Sequence, residues 1–82
     1  DGLVMDLREA LERIAPTGME YHHDEIWHDG NGYAHVRAAL VGSSVNIALV
    51  GGLLNLGTWQ QVVLLDFDNK PRSRNITVQI IY

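Results

Sequence analysis

The chain has 82 residues, 46% of them hydrophobic and 20% charged, with a net charge of −4. That composition is globular rather than disordered, and the length allows one small domain with a modest core. Six basic against ten acidic residues leave no basic patch for nucleic acid or anionic lipid, and the absence of cysteine excludes disulfide frameworks, zinc ribbons and thiol nucleophiles.

Leu3, Val4, Leu7, Leu11 and Ile14 recur at three- and four-residue steps and predict an amphipathic helix. Asp1 is placed to cap it, Asp6, Glu9 and Glu12 occupy its other faces, and Pro16 and Gly18 stop it. An acidic amphipathic start is unlike a signal peptide, and no apolar run is long enough to cross a bilayer. A thiol-free chain fits a reducing compartment, so a cytoplasmic location is expected, with neither membrane nor nucleic acid as partner. There is no initiator Met and the helix pattern begins at once, which leads us to expect a processed or truncated piece of something longer.

Residues 19–30 show neither helical nor strand periodicity and read as an irregular loop. "NGYAHVRAALVG" then reads as a second helix, with Asn31 as N-cap and Gly42 as the C-terminal left-handed residue. The alternation of Val36, Ala38 and Leu40 offers a competing strand. From Ser44 the pattern becomes β: "SVNIALV", a Gly51-Gly52 hairpin turn, then "LLNLGTW". "QQVVLLDF" is an apolar run suited to a strand covered on both faces, and "ITVQIIY" alternates as a final strand. Two helices and about four strands make an α+β domain with a largely antiparallel sheet.

All four histidines fall between residues 21 and 35, in "YHHDEIWHDGNGYAH". Imidazole is a common ligand for zinc and similar ions, and His23, His28 and His35 would come from a loop, a loop and a helix start. Their spacings of five and seven match no standard metal motif, so a polar loop of solvated histidines stands beside the metal reading. Asn31 and His35 share one helical face. Asp24, Glu25 and Asp29 are candidates to orient the imidazoles, or simply solvated loop charges. General acid–base work by a histidine is the next option. Ser43 and Ser44 lack the glycine-flanked turn of a hydrolase nucleophile, and "DGNG" and "VGG" are too short for a phosphate loop. A second cluster, Asp66 and Asp68 with Arg72 and Arg74, could hold a magnesium-bound diphosphate. The favoured reading of that cluster is a charged turn paired with itself.

"SVNIALVGGLLNLGTWQQV" carries Ser44, Ile47, Leu49, Gly52, Gly57, Thr58, Trp59, Gln60 and Val62 in the spacing of the YjbQ (UPF0047) family signature. The histidine block resembles that family's Tyr-x-His and Asp-Gly-Asn-Gly-x-Ala-His segment, and "LLDFDNKPRSRNITVQII" resembles its C-terminal strand pair. The resemblance covers essentially the whole chain, read as a single YjbQ-like domain over residues 1–82. It corresponds to the family's C-terminal two-thirds, without the N-terminal strands and the His-Thr-Thr segment.

The resemblance implies a β pseudo-barrel or sandwich with two helices, assembled as a homotrimer. It also implies a divalent metal, Zn or Mg, in a cleft lined by the His/Asn block and the Trp-Gln strand. Carried over by position, His23, His35 and, less regularly, His28 become metal ligands, and His35 with Asn31 become catalytic. Trp59 and Gln60 match the strand motif and become substrate-binding, with Trp59 expected to be a packing anchor first. Arg72 and Arg74 are expected to join them by virtue of their charge, while His22 is a solvated neighbour. The implied activity is thiamine-phosphate synthesis on a small phosphorylated substrate. The alternative is a non-catalytic metal- or anion-binding oligomeric module.

Overall fold

The computed structural model describes residues 2–82, so the capping role expected of Asp1 lies outside the described residues. Helix α1 spans Gly2–Ile14, as the apolar stripe predicts. Only Leu11 of that stripe is buried, whereas Leu3 and Ile14 are mostly exposed. The helix stops where the Ala15 amide closes its last bond onto Leu11 O and Glu12 turns its carboxylate to Thr17. The Thr17 backbone N–H and hydroxyl both donate to Glu12 Oε1, at 3.0 and 3.1 Å. The amide bond from Thr17 is the main reason the Glu12 carboxyl sits below its ordinary range.

A second helix corrects the loop expected over residues 19–30. Helix α2, His22–Trp27, starts where Tyr21 O accepts the amides of Asp24 and Glu25. Both acidic side chains lie in its first turn, where the helix dipole favours negative charge. Six residues are fewer than two turns, too few for an apolar stripe to repeat. His28 ends the helix in the left-handed region at φ 53°, its N–H donating to Asp24 O at 2.9 Å.

Helix α3, Gly32–Val41, settles the competing strand pattern in favour of the helix. Gly42 closes it with its N–H on Ala38 O, at the positive φ of 86° that favours glycine, but its ψ of 168° lies outside the left-handed helical region expected. Asn31 precedes the helix but does not cap it with its side chain. Asp24 takes that role from α2, its Oδ1 accepting the Gly32 amide at 3.0 Å. The two helices approach so closely that a Cβ on Gly32 would lie 2.5 Å from Tyr21 Cβ and 3.0 Å from Asp24 Oδ2.

The core is small: among hydrophobic residues Leu11, Ala15, Tyr21 and Ala34 are buried, and all lie in the first 34 positions. Tyr21 donates its hydroxyl to Pro16 O at 2.6 Å. Arg37 ties the helices together, donating from Nε to Ala15 O at 3.0 Å and from Nη2 to Glu12 at 2.8 Å. Its guanidinium also lies over the rings of Tyr33 and Phe67, at 5.1 and 5.8 Å.

The C-terminal half holds less regular structure than the alternation predicts. Strands β1, Leu49–Val50, and β2, Leu53–Leu54, form an antiparallel hairpin pairing Leu49 with Leu54 and Val50 with Leu53. Gly51 and Gly52 turn it at φ 59° and 78°, the positive values a two-residue hairpin requires. Among the described residues no further β ladder forms, so two short strands replace the four expected, and three helices replace two. A strand alternation becomes a ladder only when a neighbouring strand supplies backbone partners, and among the described residues segments 60–67 and 76–82 pair with no strand. Apart from the half-buried Leu65 and Phe67, their apolar side chains stand in solvent, Val78 at 79% and Ile81 at 82% exposure. The class is α+β, with a sheet of only two strands. The radius of gyration, 16.0 Å, exceeds the roughly 12 Å of a compact chain this long, as an extended second half requires.

Candidate functional site

The Asp29–Asn31 turn, between α2 and α3, is the meeting point of the molecule's polar chemistry. α2 carries His23 on its first turn and α3 carries His35 on its own first turn. The close α2–α3 approach at Gly32 brings the two imidazoles face to edge, with ring centroids 4.3 Å apart and planes tilted by 54°. Asp29, on the connecting turn, completes the group: His23 Nε2 lies 3.2 Å from Asp29 Oδ2. One ligand atom from each of His23, Asp29 and His35 lies within 4.8 Å of the others.

Two imidazoles and a carboxylate are a donor set that suits zinc and other divalent transition ions. Zn–N and Zn–O bonds of about 2.0–2.1 Å give ligand–ligand edges of roughly 3.4 Å in a tetrahedral shell. The 3.2 Å His23–Asp29 separation fits such an edge, and an imidazole–carboxylate hydrogen bond has the same length. His23 is partly exposed and Asp29 and His35 are exposed, so one side of the group faces solvent. The residues present therefore fit a divalent ion.

Asp29 is held from several directions. Its Oδ1 accepts the Asn31 amide at 3.1 Å, its Oδ2 faces His23, and its main-chain oxygen accepts Asn69 Nδ2 at 2.9 Å. The Asn31 amide is the leading cause that keeps the Asp29 carboxyl below the ordinary carboxylate range, followed by His23.

Asn31 faces away from the imidazoles toward the 66–74 turn. Its Nδ2 donates to Asp68 Oδ1 at 3.2 Å, and its Oδ1 accepts the Asn69 amide at 3.1 Å. Asp68 also accepts Arg72 Nε at 2.7 Å and Arg74 Nη2 at 3.0 Å, while Arg74 Nε donates to Asp66 at 3.1 Å. The Asn31 carboxamide first, then the Lys70 amide and Arg72, hold the Asp68 carboxyl at about 2. The aspartates and arginines of this turn pair with one another, and Asp68 pairs with Asn31 as well.

The other candidates lie elsewhere. His28 is the exposed, left-handed end of α2 and stands outside the His23–Asp29–His35 group. His22 is solvent-exposed beside Glu25, as expected of a flanking residue. Trp59 is 93% exposed, which corrects its expected role as a packing anchor. It lies on a turn that buries little of its surface, and an aromatic next to an apolar run shows its packing only where a partner face exists. Gln60 folds its carboxamide onto the Gly57 amide at 2.7 Å. Among the described residues no hydrogen bond or ring contact links Trp59, Gln60, Arg72 or Arg74 to the imidazoles. Sequence reasoning gave Asp29 an orienting role, whereas it is the third member of the group. Asn69 was missed entirely, because nothing local marks a polar residue whose partners are 38 and 40 positions away.

Over residues 1–82 the chain matches the family described as UPF0047 protein YjbQ-like. It belongs to the YjbQ (UPF0047) family. It is 41% identical over 80 residues to a UPF0047 protein of Archaeoglobus fulgidus, covering 98% of this chain and 61% of the relative. A UPF0047 protein of Methanothermobacter thermautotrophicus is 36% identical over 78 residues, covering 95% and 52%. The UPF0047 protein YugU of Bacillus subtilis is 36% identical over 77 residues, covering 93% and 58%. This YjbQ-family chain thus spans 52 to 61% of the length of these relatives, somewhat less than the two-thirds expected. No solved structure matches it. Among the described residues no helix is long and apolar enough to cross a membrane.

Proposed function

We propose that this chain supplies a divalent-metal site to a YjbQ-family enzyme acting on a small phosphorylated substrate, with thiamine-phosphate synthesis as the reaction. The observation that carries the reading is the convergence of His23, Asp29 and His35, one ligand atom each within 4.8 Å. In this reading those three residues hold the ion, Zn or Mg, and the two imidazoles favour Zn. A bound ion would polarise a phosphate oxygen and stabilise charge on a departing diphosphate.

The chain's own residues then divide the work. His35, engaged through one ring nitrogen, serves as ligand rather than as a free base. Asn31 has its amide oxygen and nitrogen committed to Asn69 and Asp68, so it holds the site together instead of touching substrate. Arg72 and Arg74 are neutralised by Asp66 and Asp68. A phosphate would have to replace a carboxylate to reach them, which a bidentate guanidinium allows. Trp59 and Gln60 would join the substrate cleft only if the exposed 57–63 segment folds against further β structure, as in the barrel expected of the family. The unpaired apolar segments 60–67 and 76–82 favour a homotrimer, whose subunits would cover them. A cytoplasmic setting goes with this reading.

Metal analysis and zinc titration of the purified chain test it. Stoichiometric binding should fall at least tenfold in His23→Ala and His35→Ala and persist in His28→Ala and His22→Ala. Equal affinity in all four variants would refute it. If zinc binds but neither this chain nor a family member of full length forms thiamine phosphate, the non-catalytic oligomeric module replaces the enzyme.

A further inference from the structure

Asp29 sits on an exposed turn between a left-handed residue, His28, and Gly30 at φ 67°. Such a turn has few internal restraints, yet the Asp29 carboxylate must point at His23 for the three-residue group to exist. The restraint comes from the opposite half of the chain. Asn69 makes two hydrogen bonds across to this turn. Its Nδ2 donates to the Asp29 main-chain oxygen at 2.9 Å, and its backbone N–H donates to Asn31 Oδ1 at 3.1 Å. Asp68 adds a third bond, accepting from Asn31 Nδ2 at 3.2 Å. Asn31, fixed at both ends of its carboxamide, in turn offers its amide to Asp29 Oδ1 at 3.1 Å. The other carboxylate oxygen is thereby aimed at His23 Nε2, at 3.2 Å.

We infer that Asn69 is a positioning residue for the metal site: its side chain clamps the Asp29 main chain and, together with the Asn31 amide on Asp29 Oδ1, sets the Asp29 carboxylate against His23. The inference rests on the reading of His23, Asp29 and His35 as metal ligands, but the clamp itself consists of protein contacts. A hydrogen-bonding partner behind a metal ligand typically contributes 10–100-fold in affinity. Asn69 differs from an ordinary partner of this kind because it grips the main chain of the ligand residue.

The test uses the full chain with Asn69→Ala and Asn69→Asp. The aspartate keeps the size of the side chain but sets an acceptor against the Asp29 carbonyl, so a donor-dependent clamp fails in both. Far-ultraviolet circular dichroism should match the parent, since α1–α3 do not depend on the clamp. Cobalt(II) is the probe: affinity should fall about tenfold in both variants, with a changed visible absorption band. Asn69→Ala added to Asp29→Ala should weaken binding no further, because the two act as one unit.

A second arm needs no metal. In chelator-treated protein, the His23 ring 15N signals report its hydrogen bond to Asp29, and both Asn69 variants should lose that signature. If the parent takes up no cobalt while the signature is still lost, the metal reading fails and the clamp stands. Parent-like ring signals in both variants, or a normal clamp in Asn69→Asp, would overturn the assignment.

Discussion

The two halves of this chain obey the same hydrophobic pattern rules and arrive at different outcomes. Residues 2–42 form three helices and contain the buried hydrophobic core, while residues 43–82 form one four-residue ladder and leave most of their apolar side chains exposed. A helix satisfies its backbone within its own segment, so α1 and α3 need little from the rest of the molecule. A strand satisfies its backbone only against another strand. The alternation in "ITVQIIY" states which faces could be buried but supplies neither the neighbour nor the cover. The hairpin at Gly51-Gly52 is the exception that supports the rule, because its partner is two residues away.

The largest effect that would break this contrast lies in the helical half. Tyr21 is 8% exposed and bonded to Pro16, and its ring supports the start of α3. Tyr21→Ala should lower stability by about 3 kcal/mol, at the lower edge of the range for losing a buried aromatic. Thermal unfolding followed at 222 nm measures it. A variant that melts like the parent would mean the helices are not one cooperative unit.

Next comes Gly32→Ala. The added Cβ would meet Tyr21 Cβ at 2.5 Å, so α2 and α3 must separate, at a cost of about 1–3 kcal/mol. The same separation pulls His35 away from His23. Zinc affinity should therefore fall alongside melting temperature, whereas Tyr21-independent helix propensity alone would make alanine stabilising. A more stable Gly32→Ala protein would show that the close approach is not needed.

How much of this was legible follows the same division. α1 was written in its apolar steps, α3 in its alanines and Gly42, and the hairpin in its paired glycines. α2 was not, since six residues cannot display a period and its packing against α3, through Tyr21 and Asp24 at Gly32, is a tertiary matter. At the site, the density of histidines and the Asp-Gly-Asn-Gly block pointed to His23 and His35. They could not say which histidines would meet: His28, ranked lower only by the resemblance, stands outside the group, at the left-handed end of α2. Asp29 was underrated because a loop carboxylate is usually solvated. The Asn31–Asp68–Asn69 lock joins residues 37 and 38 positions apart, a distance at which single-residue patterns carry no signal.

That lock is also where the two halves communicate, and pH tests it. Asp68 has its carboxyl held at about 2 by Asn31, the Lys70 amide and Arg72, below the roughly 3.9 of an unfolded aspartate. A depressed carboxyl contributes stability that is fully present above pH 4 and is lost as pH falls toward 2. Contacts between the 29–31 and 66–72 turns should therefore loosen in that window, before α1 melts. Carboxyl 13C titration should place the Asp68 midpoint near 2, and in Asn31→Ala it should move upward. A midpoint near 4 in the parent would mean the two turns do not engage in solution.

The smallest expected effect sharpens the comparison most. Trp59 is 93% exposed, so in a dilute monomer Trp59→Ala should change stability by no more than about 0.5 kcal/mol, the usual bound for surface positions. For a domain of this size that is a shift of less than about 4 °C in melting temperature. In a homotrimer the same side chain would lie among the apolar strands that subunits cover, and the melting temperature would depend on protein concentration. The variant should then weaken assembly while leaving the helical signal of the dilute chain intact. Light scattering and melting at low and high concentration separate the two effects. A drop of 10 °C or more in the dilute monomer would mean that the second half packs onto the first within one chain, and the contrast between them would fall.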